Sequence, residues 1–302
     1  MRVLNKLDYI KNHFGNDRDV YSNPNPLKTG IRGIDDHLVI RPGVYLIGGL
    51  PSVGKSTLAL QLADQFASAG ANILFFSLEQ TEYDLTNKSI NRIKHQNRLA
   101  YDAAIVAYEK HANRITTAIP GATPTIEEIE QVVNEYVRNN SEPPIVFIDY
   151  LQLIQTRSVL SKKDSVSRVS NALVNLAKAH NITMFVLSSL NRMNYMSPID
   201  FESFKESGSL EYDADVVLGL QYQIITNDKF INCTSVDQKR LMVSGAKAES
   251  IRAVELVCLK NRFGPIAPVC KLDYHTDVDL FVDSAVTDKK NNATKKKGTC
   301  SF

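Results

Sequence analysis

The chain has no stretch of about 18 consecutive apolar residues, which argues against a membrane-spanning helix. Its opening, Met1-Arg2-Val3-Leu4-Asn5-Lys6, lacks the continuous apolar segment of a secretory signal. Cysteine is scarce. Cys233, Cys258, Cys270 and Cys300 form no C-x-x-C pair and have no histidine at metal-ligand spacing. Neither a disulfide framework nor a zinc site is therefore expected, and the expected setting is a reduced, cytoplasmic one. Net charge is also small, at +2, so the overall balance neither requires nor excludes a polyanionic partner. No internal repeat is visible. The 302 residues, 43% of them apolar, suffice for one large α/β domain or two small ones.

What the chain does have is alternation. The runs Val44–Gly48, Ile73–Ser77, Ile145–Asp149, Thr183–Leu187, Val216–Leu220 and Val254–Leu259 read as strands. Several are apolar at nearly every residue, as in strands buried on both faces of a parallel sheet. Between them lie stripes at helical spacing: Ala59, Leu62, Ala63, Phe66, then Ile126, Ile129, Val133, Tyr136, then Val166, Val169, Leu173, Leu176. The second begins at Thr123-Pro124-Thr125, with Glu128 placed for a capping box. This order predicts an α/β fold with a doubly wound, mostly parallel central sheet flanked by helices. Residues 223–252 are polar and weakly periodic, and are expected to form a long loop or excursion. Val3, Leu7, Ile10 and Phe14 predict a short amphipathic helix, followed by a polar linker with Pro24 and Pro26. That helix either caps its own domain or docks on a neighbouring subunit. Lys289, Lys290, Lys295, Lys296 and Lys297 mark a solvated basic tail.

The strongest chemical signal is Gly49-Leu50-Pro51-Ser52-Val53-Gly54-Lys55-Ser56, which fits G-x-x-x-x-G-K-[ST] between a strand and a helix. Glycines let backbone N–H groups converge on phosphate oxygens, and the helix N-terminus adds positive potential. Gly49, Pro51, Ser52, Val53, Gly54, Lys55, Ser56 and Thr57 are thus the expected nucleotide-binding residues, with ATP and Mg²⁺ as cofactors. Lys55 is expected at the β/γ-phosphates and the Ser56 hydroxyl on the metal. Asp149 ends an apolar strand about 95 residues on, where a carboxylate can hold the Mg²⁺ shell. Glu79 follows another strand. By spacing alone it serves equally as the group that polarises the attacking water or as the N-cap acid of a helix over Thr81–Ile93.

Five further segments resemble, in order, the motif series of the motor domain of DnaB-like replicative helicases. They are Ser77-Leu78-Glu79, Asp149-Tyr150-Leu151-Gln152-Leu153, Leu187 to Arg192, Lys205 to Asp215, and Lys260-Asn261-Arg262-Phe263-Gly264-Pro265. The likeness covers residues 27–283 and implies a RecA-like P-loop NTPase core, assembled as a homo-oligomer, normally a hexameric ring around single-stranded DNA. It implies that Glu79 is the catalytic glutamate, Asp149 a metal ligand, and Lys260 and Arg262 a basic pair inserted into the next subunit's ATP site. It places Lys205, Glu206 and Gly208 in a DNA-tracking loop, and Gln152, Ser189 and Asn191 among the residues that couple nucleotide to DNA. The implied division is an arm and linker over 1–26, an ATPase motor over 27–285 and a tail over 286–302. A helicase loader or primase is a further expected class of partner.

Three departures qualify the resemblance. Ser189 stands where the family usually has glutamine, which leaves coupling to water or to Asn191. Lys205 replaces the usual arginine, keeping charge but losing the bidentate fork. The family's amino-terminal primase-interacting domain is missing from the sequence. Local charge supplies a second DNA candidate: Arg157, Lys162, Lys163 and Arg168 against Asp164 give +3 in one segment. The reading from sequence is an ATP-dependent DNA helicase of DNA replication. The alternative is a RecA-like regulatory, loading or recombination ATPase that does not unwind. A small-molecule kinase fits poorly, since no lid-type arginine cluster can be identified.

Overall fold

The computed structural model describes residues 27–119, 121, 124–157, 162–191, 196–207 and 210–284, without the side chains at 162, 163 and 205–207. The amino-terminal helix and linker, the basic tail and Gly208 lie outside the described residues.

Each apolar run is a strand. In chain order they are β1 (Gly43–Gly49), β2 (Ile73–Ser77), β3 (Ile115–Ala118), β4 (Ile145–Asp149), β5 (Thr183–Ser189), β6 (Val216–Tyr222), β7 (Ile251–Asn261), β8 (Cys270–His275) and β9 (Leu280–Asp283). They form one nine-stranded sheet in the order β3-β2-β4-β5-β1-β6-β7-β8-β9. From β3 to β6 every pairing is parallel, and β7, β8 and β9 add on antiparallel. The sequence patterns did not announce β3, β8 and β9. β3 is a four-residue edge strand carrying two threonines and β9 also has four residues, while β8 alternates, with Cys270, Leu272 and Tyr274 buried, but lacks the consecutive apolar residues that mark the parallel strands.

The parallel register is pinned by an aromatic ladder. Phe75, Phe147, Phe185 and Tyr45 lie opposite one another on β2, β4, β5 and β1. Their ring centroids are 5.6, 4.9 and 4.8 Å apart in that order. Stacked rings of this kind add about 0.5–1.5 kcal/mol per pair beyond area burial. Phe66 of helix α1 (Lys55–Ser68) closes on the ladder from above, 5.9 Å from Phe185.

The remaining long helices are α2 (Glu82–Asn97), α3 (Tyr101–Ala112), α4 (Ile126–Asn139), α5 (Lys162–His180) and α6 (Val236–Ala248). The capping box at the start of α4 forms as the sequence indicates, with Thr125 and Glu128 satisfying each other's backbone N–H. Residues 223–252 are not a loop. They hold two short helical turns, then α6, which Ser235 caps by accepting from Gln238 N, and then the start of β7. No residue of α6 is fully buried, and its apolar face is narrow, with Met242, Val243 and Ala246 half-buried against the core.

The β8–β9 hairpin is fastened over α1. The Gln61 amide donates to Phe281 O and accepts from Phe281 N, at 2.9 and 2.8 Å. Arg92 of α2 donates to Asp279 O at 2.7 Å and pairs with the buried Asp64 carboxylate of α1 at 2.6 Å. Chain topology then fixes where a ligand goes. From β1 the chain moves outward to β2 and β3, returns through β4 and β5, and crosses to β6 on the other side. The carboxyl end of β1 is therefore the switch point, where open α/β sheets bind ligands.

Phe147→Ala should cost about 3–5 kcal/mol, the usual range for emptying a buried aromatic site. Urea unfolding followed by far-UV circular dichroism reads this directly, and a loss under 1 kcal/mol would show that the ladder is dispensable.

Candidate nucleotide site

β1 ends at Gly49, and α1 begins at Lys55 with Gly54 as its N-cap. Two glycines are required here for different reasons. A Cβ on Gly49 would lie 2.8 Å from Leu220 O, so only glycine lets β6 run this close. Gly54 has φ +103°, and a Cβ there would lie 2.7 Å from Phe281 and 2.9 Å from Tyr274. The loop opens into a cleft of about 690 Å³ lined by Pro51, Ser52, Gly54, Lys55, Ser56, Thr57, Glu79, Asp149 and Ser189, among others. Val53 is fully buried, so its side chain serves the core and only its backbone faces the loop. The Thr57 hydroxyl is within hydrogen-bond distance of Tyr274 Oη, also on the cleft wall, at 3.3 Å and of Asp279 at 3.4 Å.

The charged groups gather at the carboxyl ends of β1, β2 and β4, with β5 lying between β4 and β1. Lys55 Nζ donates to Gly49 O and Leu50 O, at 2.9 and 3.1 Å. Burial pulls its pKa down, while the charges of Asp149 and Glu79 oppose that. Burial pushes the Asp149 carboxyl up, a hydrogen bond from Ser56 lowers it, and Glu79 raises it again. Asp149 is 2% exposed, and its Oδ2 has no hydrogen-bond partner among the described residues. A buried carboxylate oxygen without a donor, beside a serine hydroxyl, is the oxygen-rich setting that a hard divalent cation fits. Glu79 is exposed at the mouth. The cap of α2 is Thr81, which accepts from Asp84 N, so Glu79 does not serve as the N-cap.

On the sheet's inner side Gln152 grips Ser189 twice. Its Nε2 donates to Ser188 Oγ at 2.8 Å and to Ser189 O at 3.3 Å, and its Oε1 accepts from Ser189 N at 3.1 Å. Two residues later Asn191 N donates to Ser203 O at 2.8 Å, within the 3-10 segment Phe201–Ser207 that leads to Lys205. The three coupling candidates thus form a continuous path of contacts from the cleft toward that segment.

Lys260 and Arg262 are elsewhere. β7 runs antiparallel to β6, so its end pairs with the beginning of β6, level with the beginning of β1. Arg262 donates to Tyr212 O, Asp213 O and Asp215 Oδ1 at 3.2, 3.1 and 3.3 Å, and Lys260 Nζ donates to Tyr212 O. Asp215 in turn holds Val44 N, five residues before the phosphate loop. Five residues of strand span about 16 Å. No arginine side chain covers that distance, so Arg262 does not reach the cleft of its own chain.

A family model for the DnaB-like helicase C-terminal domain matches residues 27–283. The chain belongs to this family. It is 28% identical over 270 residues to the replicative DNA helicase DnaB of Mycoplasma genitalium, a match covering 80% of this chain and 53% of that one. The chain spans about half the length of the curated DnaB relatives it matches. Among solved structures it resembles an ATPase domain, with a TM-score of 0.75, 20% identity, and coverage of 93% of this chain and 99% of that one. It also resembles a DnaB-like replicative helicase solved for its interactions with primase, with a TM-score of 0.70, 21% identity and coverage of 93% and 67%. These likenesses establish the RecA-like fold. No helix among the described residues is long and apolar enough to cross a membrane.

Within this family frame the cleft holds residues the sequence did not single out. Arg252 donates to Ser52 O at 2.8 Å and lies 5.8 Å from the centroid of the Tyr274 ring, which stacks on Phe281 at 4.3 Å. The strand reading began at Val254 and left Arg252 in the expected loop. Of the DNA candidates, the side chains of Lys162, Lys163, Lys205 and Glu206, and Gly208 altogether, lie outside the described residues. The local charge has neighbours that the segment alone does not show. Arg157 and Arg168 pair with Glu128 and Glu127 of α4, at 3.9 and 3.5 Å, so the +3 becomes +1 once these acids are counted.

Gly54→Ala tests the loop. The left-handed backbone and the crowded Cβ should weaken a fluorescent ATP analogue by about tenfold or more, from roughly 1–3 kcal/mol of strain. Unchanged affinity would mean the loop repacks without strain.

Proposed function

We propose that the chain is the ATP-driven motor of a DNA helicase acting in DNA replication, assembled head to tail as a ring, normally six-membered, around single-stranded DNA. The observation that carries this is the separation of the two half-sites. A phosphate-binding cleft lies at one end of the sheet and the Lys260–Arg262 pair at the other, about 16 Å away along β1. Such a subunit completes its chemistry only against a second copy turned head to tail, a heterologous contact that closes into a ring or extends as a filament.

In this reading Lys55 meets the β/γ-phosphates, and Ser56 with Asp149 Oδ2 holds Mg²⁺. A metal held by Ser56 and Asp149 would supply positive charge against the charge that develops on the phosphates. Glu79 accepts the proton of the attacking water at its carboxylate. Arg252 and Tyr274, a guanidinium beside an aromatic face, form the wall for the base. Lys162, Lys163, Lys205, Glu206 and Gly208 remain the candidates for DNA, and a loader or primase the candidate partner. Ser189 favours the second reading, an ATPase that binds DNA without unwinding it, because its short side chain cannot bridge the distance a glutamine does.

Strand displacement from a forked duplex with a free 5′ tail separates the two readings: DNA-stimulated hydrolysis without displacement supports the second. Glu79→Gln should keep nucleotide affinity while hydrolysis falls about 10²–10⁴-fold, the usual worth of a general base. Normal turnover would remove Glu79 from the chemistry. Lys55→Ala and Arg262→Ala should each be inactive, the second by about 10³–10⁵-fold. Mixed assemblies, co-expressed and purified through two tags, should regain single-turnover hydrolysis. If they stay silent, Arg262 does not act in trans.

A further inference from the structure

Asp215 takes no part in the cleft, yet it joins the foot of the phosphate-loop strand to the distal arginine. Its backbone N donates to Val44 O at 2.8 Å, and its backbone O accepts from Arg262 N at 2.9 Å. Its carboxylate is divided between the same two neighbours: Oδ2 accepts from Val44 N at 3.0 Å, and Oδ1 from Arg262 Nη1 at 3.3 Å. The position is tightly fitted, since a Cβ on Gly43 would lie 2.6 Å from Asp215 Oδ2. The Asp215 side chain is 21% exposed and that of Arg262 47%, so the carboxylate is the anchored partner and the guanidinium the presented one.

The donor count supports presentation. A guanidinium has five N–H donors. Here three bonds go to Tyr212 O, Asp213 O and Asp215 Oδ1, which leaves two donors for an incoming anion. Two of those three acceptors are neutral carbonyls, so Asp215 provides the charged contact that orients the fork.

We propose that Asp215 is the positioning residue for Arg262, fixing its guanidinium against the foot of β1 so that the phosphate-loop strand of one subunit sets the arginine offered to the next. This rests on the trans reading of Arg262 given above. Asp215→Asn keeps an acceptor for Val44 N but removes the charged contact.

The test uses full-length Asp215→Asn alone and co-assembled with Lys55→Ala through two tags, beside the Arg262→Ala and Lys55→Ala assembly. Single-turnover hydrolysis is measured with single-stranded DNA present, and affinity with a fluorescent ATP analogue. Alone, Asp215→Asn should lose about tenfold to a hundredfold in turnover, the usual consequence of misplacing a catalytic group. Its analogue affinity and KM for ATP should stay within about twofold, because the lost interaction belongs to the transition state. Co-assembly should restore its turnover, since each Lys55→Ala subunit offers an intact Asp215–Arg262 pair to a neighbour's intact cleft. Recovery in the Arg262→Ala assembly but not in the Asp215→Asn one would overturn the proposal and assign Asp215 to its own subunit's cleft. So would a rise in KM without loss of turnover. Silence in both assemblies would instead overturn the trans reading, and the Asp215 proposal with it. If Asp215→Asn loses its far-UV circular dichroism signal, Asp215→Glu replaces it. That variant keeps the charge, displaces it by one methylene, and should be slowed and then restored by the same co-assembly.

Discussion

Four aromatic rings, Phe75, Phe147, Phe185 and Tyr45, lie side by side across four parallel strands, and their stacking fixes how far each strand extends relative to its neighbours. From the ladder, β4 and β2 continue two residues to Asp149 and Ser77, and β1 and β5 continue four to Gly49 and Ser189. The phosphate loop, the buried carboxylate and Glu79 are therefore brought to one edge by packing in the core. A slip of one residue on β4 would turn Phe147 to the opposite face and carry Asp149 out of line with Ser56. The chemistry of the cleft is in this sense set several ångströms below it, in a layer that touches no ligand.

The edge so formed is braced from outside. The β8–β9 hairpin would leave Gly54 no room for a side chain, ties its main chain to Gln61, and receives Arg92 at the turn. The antiparallel extension of the sheet is thus the outer wall of the phosphate loop. It also carries β7, whose first residues touch Ser52 and whose last lie beside Asp215.

The sequence made the contiguous parts of this arrangement readable. A phosphate loop must be built from adjacent residues, so Gly49 to Ser56 identifies itself, and Asp149 is marked by the apolar strand it terminates. Glu79 was ambiguous because a cap and a base occupy the same place before a helix. The hydroxyl of Thr81, two residues on, takes the cap. Arg252 and Tyr274 gave no signal and Asp215 was marked only as the last residue of a family-like segment, since their partners Ser52, Thr57 and Val44 lie some 170 to 220 residues away and meet them only through strand pairing. The charge of residues 157–168, read from the segment alone, was incomplete for the same reason. Glu127 and Glu128 are distant in the chain and adjacent in space.

One strand, β7, has an arginine at its beginning and another just past its end, with about 30 Å of paired backbone between them. In the head-to-tail assembly proposed above, this strand would touch two nucleotides at once, its own through Arg252 and a neighbour's through Arg262. Thermodynamic linkage then imposes a symmetry on any communication it carries. If occupancy of one cleft changes the affinity of the next by some factor, occupancy of the second must change the first by the same factor. Equilibrium binding along β7 therefore has no preferred sense around the assembly, and any direction of travel must enter through the irreversible step, hydrolysis.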